Sequence, residues 1–212
     1  MLSYKMYGQK KTFFGVKSGY NYTTTNFNHI LIPLNIIEGY KPGLHFGIKG
    51  LSYLQKGVGL QFELNYSQKG WTQLFGSNIP KFETEMNYLE LPILINLYLG
   101  NGKTRFFINL GTYVEYLLSY KTKNFPTDTG LFDFYPYDDS RDNKFGYGYR
   151  AGGGIYHDFS FGTVFIEGSF AFGLSDVLNP ITDDSGIPNQ SNHLVGAISI
   201  GYLIELGKSP GE

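Results

Sequence analysis

Apolar and polar residues alternate along eight separate stretches of this chain, and the gaps between the stretches alternate between short and long. A period of two sends successive side chains to opposite faces of an extended strand, so each stretch reads as a β-strand with one apolar and one polar face. The clearest is Val58, Leu60, Phe62, Leu64 and Tyr66, interleaved with Gly59, Gln61, Glu63, Asn65 and Ser67. The other seven centre on Val16, Phe46, Ile93, Val114, Tyr149, Ile166 and Ile200. The gaps after the second, fourth and sixth strands are short, at 51–56, 100–103 and 158–161. Those after the first, third, fifth and seventh are long, at 23–38, 69–83, 120–143 and 175–192. Gaps sorted in this way place every short turn at one end and every long loop at the other, the layout of an up-and-down barrel set in a membrane. No stretch sustains a helical period with caps, and no run of about 18 apolar residues could cross a bilayer as a helix.

The expected fold is therefore all-β, an eight-stranded antiparallel up-and-down barrel. Alternation alone does not say which face points inward. A soluble lipocalin-like carrier has an apolar interior, and a transmembrane barrel has the reverse. The polar face carries Lys17, Lys49, Glu63, Glu90, Glu115, Arg150 and Glu167, together with most of the strand glycines. An eight-stranded ring leaves an interior just wide enough for side chains, and glycine there makes room for long charged partners. The apolar face is bulky on every strand and too large for so narrow a lumen. Charged residues make up 17% of the chain, against about 25% in soluble domains. The apolar face is thus predicted to meet lipid, which makes the chain a transmembrane β-barrel of the outer-membrane type. Tyr20, Tyr22, Tyr40, Tyr66, Tyr116, Tyr147 and Phe172 are expected at the outer rim. Phe14, Tyr53, Tyr98, Phe106, Phe161 and Tyr202 are expected at the periplasmic rim, as two aromatic girdles. The barrel is assigned to residues 12–206, with residues 1–11 as a periplasmic segment and 207–212 as a polar tail. An exported chain of this kind implies a signal already removed or lying outside this sequence.

Four segments are also familiar. Leu60-Gln-Phe-Glu-Leu-Asn-Tyr-Ser-Gln-Lys-Gly70, Asn87-Tyr-Leu-Glu-Leu-Pro-Ile93, Gly111-Thr-Tyr-Val-Glu-Tyr-Leu-Leu-Ser119 and Phe170-Ala-Phe-Gly-Leu-Ser-Asp176 resemble strand motifs of the PorT-like family of Bacteroidota outer-membrane proteins. The resemblance spans roughly residues 13–206. It implies a small outer-membrane barrel from a gram-negative bacterium, and it raises a link to a secretion or assembly machine. The last strand departs from the usual barrel pattern, because Tyr202-Leu-Ile-Glu-Leu206 runs into a polar tail instead of ending the chain on an aromatic residue.

The net charge of −1 gives no field that would favour nucleic acid, and the absence of cysteine removes disulfides and thiolate chemistry. No cofactor or metal is expected. The acidic pairs Asp138-Asp139 and Asp183-Asp184 match no calcium-loop spacing. Ser191 and His193 share a face, but that face is the inward one, so a lipid hydrolase is not expected. The seven polar-face charges either line a narrow ion path or pair with one another into a closed core, and the second fits an eight-stranded lumen better. Loop residues Ile30, Leu31, Ile32, Leu34, Ile36, Phe125, Phe132, Phe134, Tyr135 and Tyr137 are apolar or aromatic in otherwise polar surroundings, and they read as partner contacts or as a cap over the barrel. The expected function is that of a non-enzymatic accessory or structural barrel in membrane lipid. It would dock a partner, such as a larger outer-membrane complex, through its long loops or its lipid-facing wall. A small pore or solute-binding barrel is the alternative, and a soluble lipocalin-like carrier is the second.

Overall fold

The computed structural model describes residues 11–28, 37–74, 82–123, 136–179 and 190–207. These form β1 (Thr12–Asn28), β2 (Ile37–Gly39), β3 (Lys41–Gln55), β4 (Val58–Leu74), β5 (Phe82–Leu99), β6 (Thr104–Lys123), β7 (Phe145–Phe159), β8 (Gly162–Gly173) and β9 (Gln190–Leu206). The short β2 continues β3 beyond Tyr40 and pairs with the end of β4, so the wall has eight strands. All neighbours are antiparallel. β1 and β9 close the ring from Thr12↔Leu206 to Asn28↔Gln190, so that the wall at the level of the lipid is a continuous ring of paired strands among the described residues.

Charged and apolar side chains take the faces expected of them. Outward Phe14, Val16, Ile48, Phe62, Ile93, Leu110, Tyr149, Ile166 and Ile200 are exposed, whereas Lys17, Lys49, Glu63, Glu90 and Glu167 are buried in the ring. On β5 the outward apolar run extends from Leu89 to Leu99. At about 3.3 Å per residue and a tilt near 40°, that run is about 25 Å tall, the thickness of an outer-membrane apolar belt.

Three features differ from the sequence expectation. The strands reach further toward the long-loop end than the apolar alternation suggested. β1 continues to Asn28, β4 to Leu74 and β6 to Lys123. Apolar alternation marks where a strand touches lipid, while the hydrogen-bonded ladder continues above the belt through Thr, Asn and charged residues. Tyr53 and Tyr98 were placed in the periplasmic girdle, but both point inward. Tyr53 packs edge-on against Phe13 and against Tyr98, at centroid distances of 5.8 and 4.8 Å. Their strand parity is that of Lys49 and Asn96, and parity overrides their amphipathic chemistry. The third difference is a gap in the β4–β5 ladder. Phe62 pairs with Ile93 and Asn65 with Glu90 in unbroken register, yet the two rungs between them are missing. Pro92 lies in that gap and has no N–H to donate.

Candidate functional site

Viewed from the short-turn end upward, the lumen is filled in layers. The lowest is an aromatic plug of Phe13, Leu51, Tyr53, Phe107, Tyr156, Phe165 and Leu203, with Tyr98 packed against it. Phe107 and Tyr156 stack at 4.0 Å. Arg105 lies over the Tyr98 and Tyr156 rings and holds the Asp158 carboxylate with bonds of 2.6 and 2.8 Å. Apart from Tyr53 and Tyr98, which the sequence reading puts in a girdle, these inward aromatics are not singled out from sequence, because they interrupt a face that is otherwise polar.

Above the plug sits the first charge layer. The Lys49 ammonium is 3.3 Å from Glu167 and 4.2 Å from the centre of the Phe165 ring beneath it. Lys17 is 2.6 Å from Glu63, whose carboxylate also accepts hydrogen bonds from the Gln61 and Asn65 amides at 2.6 and 2.9 Å. Asn109 donates to Glu167 at 3.2 Å, and Asn96 donates to Asn109 at 2.6 Å, which ties the layer across the ring.

The second charge layer centres on Glu90. It receives Lys69 at 2.5 Å and Arg150 at 2.8 Å, while Lys69 also meets Glu115. Tyr113 lies flat against both cations, 5.0 Å from the Lys69 nitrogen and 5.4 Å from the Arg150 guanidinium. The structure thus brings together all seven charges picked out from the polar face and adds Lys69. Lys69 continues the inward parity of Gln61, Glu63, Asn65 and Ser67, so the signal was present. It was missed because the apolar face had ended at Tyr66 and the position was assigned to a loop. The two layers contain Lys17, Lys49, Lys69 and Arg150 against Glu63, Glu90, Glu115 and Glu167, four cations and four carboxylates. Such a balance is what buried charge requires, since each ion removed from water must be compensated by a partner and by further hydrogen bonds.

At the outer end His193 bonds the Thr25 hydroxyl at 3.0 Å and the Tyr88 hydroxyl at 3.3 Å. Ser191 accepts the Leu178 N–H at 2.8 Å. Both Ser191 and His193 are buried inside the ring, away from lipid. Over them lies an apolar cap of Phe27, Trp71, Met86, Tyr88, Leu117, Tyr137, Val177 and Leu178. Of the two readings given for Tyr137, partner contact or cap, the second describes its place: it is buried in this cap with its ring 4.7 Å from Tyr120. Its flat apolar ring gains more from closing the barrel than from facing water. Burial, with the nearby Asp139 and Asp142 carboxylates, pushes its phenol well above the usual value, so it stays protonated. The other loop residues singled out, Ile30, Leu31, Ile32, Leu34, Ile36, Phe125, Phe132, Phe134 and Tyr135, lie outside the described residues, as do Asp183 and Asp184. Asp138 and Asp139 are engaged locally. Asp138 accepts the Ser140 hydroxyl and amide at 2.6 and 2.8 Å, and Asp139 pairs with Lys144 at 2.7 Å.

A closed antiparallel ring with charge inside, a bulky apolar belt outside and loops sorted by length defines an integral outer-membrane β-barrel protein. The chain belongs to the family of the outer membrane protein beta-barrel domain, which matches residues 7–179. Among curated proteins, none matches the sequence. Among solved structures, the chain is similar to OprG of Pseudomonas aeruginosa, with 11% identity, a TM-score of 0.54, and 93% of this chain and 98% of that one covered. It is also similar to Ail, the attachment invasion locus protein of Yersinia pestis (12% identity, TM-score 0.46, 92% and 99% covered), and to Neisserial surface protein A (9%, 0.48, 89% and 96%). The likeness to OprG, at 11% identity, concerns the fold alone.

Proposed function

We propose that this protein is a closed, non-enzymatic outer-membrane barrel that serves as an accessory or structural subunit and binds a partner protein at its long-loop end. The observation that carries this reading is the filled lumen, with two internally neutral charge layers between an aromatic plug and an apolar cap. Among the described residues, the charged groups of the two layers are paired with one another across the ring and fill the space a solute path would need. Function then moves to the surfaces outside the lumen. The long loops contain Ile30, Leu31, Ile32, Leu34 and Ile36 in one and Phe125, Phe132, Phe134 and Tyr135 in another. Aromatic and aliphatic side chains of this kind are what protein interfaces are built from. The strand motifs similar to the PorT-like family give the specific form of the proposal, a subunit of a secretion or assembly machine of the Bacteroidota outer membrane.

The test is extraction in mild detergent, comparing the native chain with a variant in which Phe132, Phe134 and Tyr135 are replaced by Ser. The native chain is expected to co-purify with a stoichiometric outer-membrane partner, and the variant to lose it while remaining folded. Recovery of the native chain alone, from cells that express it at its natural level, would contradict the proposal.

A further inference from the structure

The lipid-facing wall is uneven. On β7, β8 and β9 it carries Ala151, Gly168 and Gly196 close together, among the large outward side chains of Tyr149, Phe170 and Ile198. These small residues floor a groove of about 790 Å³ in the outer half of the belt, walled by Tyr20, Phe170 and Ile198. The rungs Gly168↔Ile198, Ile198↔Tyr20 and Gly196↔Phe170 set floor and walls side by side. That volume lies within the range of small-molecule sites.

Intrachain packing does not explain the two glycines. A Cβ at Gly148 would fall 2.1 Å from the Phe172 carbonyl oxygen, so the chain itself excludes a side chain there. A Cβ at Gly168 meets nothing within 4 Å, and one at Gly196 comes no nearer than 3.8 Å to any atom. Neither glycine has a positive φ. Glycine in a strand costs conformational entropy and packing, so these two positions carry a cost with no return inside the chain. What they provide is space on the lipid side.

The geometry points to a seat for the acyl chain of an outer-leaflet lipid in this groove, held longer than the lipid around the rest of the belt. Three observations identify the occupant. The groove is continuous with the lipid-facing belt and lies toward the long-loop end. No charged side chain lines it, and Asn21 and Ser169, which border it, have the inward parity of Lys17 and Glu167, so hydrocarbon is the chemistry it accepts. At its outer lip Tyr22 and Tyr40 stack at 4.9 Å with planes 11° apart, both exposed, at the level where tyrosine meets lipid headgroups.

The experiment uses the full chain in vesicles containing phosphatidylglycerol with a nitroxide near the end of one acyl chain. Electron spin resonance reads the fraction of chains whose motion is restricted by protein. Gly168→Leu and Gly196→Leu fill the groove without an intrachain clash, and Gly50→Leu adds the same bulk on β3, away from it, where a Cβ comes no nearer than 4.0 Å to any atom. The native chain and Gly50→Leu are expected to show the same restricted fraction, and each groove variant a smaller one. Equal fractions in all four would overturn the proposal. A second measurement holds even if a leucine variant fails to fold. The native chain has no cysteine, so Ile198→Cys reports self-association alone: disulfide-linked dimers in the vesicles would assign the groove to a second copy and overturn the lipid seat, whereas a monomer is the expected result.

Discussion

Glu90 accepts two cations at once, Lys69 from β4 and Arg150 from β7, and this makes it the most consequential side chain in the lumen. Glu115 meets Lys69 alone among the cations of the two layers. Glu90→Gln keeps the shape and removes the charge. It leaves the buried Arg150 without its carboxylate partner, and losses of about 3–5 kcal/mol follow when one partner of a buried pair is removed. Glu115→Gln leaves the same net charge in the layer but keeps both Lys69 and Arg150 on Glu90, so it should cost clearly less. Urea unfolding of the barrel in lipid vesicles orders the two variants, and equal midpoints would contradict the shared role assigned to Glu90. The difference between these carboxylates could not be read from sequence. Parity placed both inside the ring, but which cation reaches which carboxylate depends on strand tilt and stagger around the ring, and no local pattern records those.

At the scale of the strand, alternation and ladder proved to be separate quantities. The eight strands were legible because lipid on one side and packed charge on the other impose opposite chemistries on neighbouring residues. Their outer ends were not legible, since above the belt the apolar outward face stops and the alternation with it, while β1, β4 and β6 continue and carry Phe27, Trp71 and Tyr120 to the apolar cap. Tyr53 and Tyr98 show the same limit from the other side, because an aromatic residue near a strand end satisfies a girdle and a plug equally well. Two substitutions test the strand description. Ile93 stands mid-belt and exposed on β5, so Ile93→Arg should lower stability by about 2–4 kcal/mol in a bilayer; an unchanged unfolding midpoint would put Ile93 on the wrong face. Opposite the missing rungs, Pro92→Ala supplies the N–H that the β4–β5 ladder lacks. A restored hydrogen bond contributes about 0.5–1.5 kcal/mol, partly offset by the greater freedom of the unfolded chain. Hydrogen exchange should therefore slow at the amide of Glu63, which lies opposite position 92, and unchanged exchange would mean that the gap has another cause.

For the whole molecule, the closed state of the lumen is the claim on which function turns. The seven charges found on the polar face suggested either an ion path or a neutral core, and composition could not separate them. The deciding group was Lys69, which brings the cations level with the carboxylates, together with the inward aromatics that seal the lower end. The loops, where partner contact is proposed, were visible in the sequence as apolar runs between polar neighbours, and of those residues Tyr137 turned out to belong to the cap. Single-channel recording of the purified full chain in planar bilayers addresses the central claim most directly. A filled lumen should give no sustained current at either polarity, and Glu90→Gln, by unsettling the upper charge layer, should give brief openings at most. A steady ohmic conductance from the native chain would contradict the closed barrel and return the search for function to its interior.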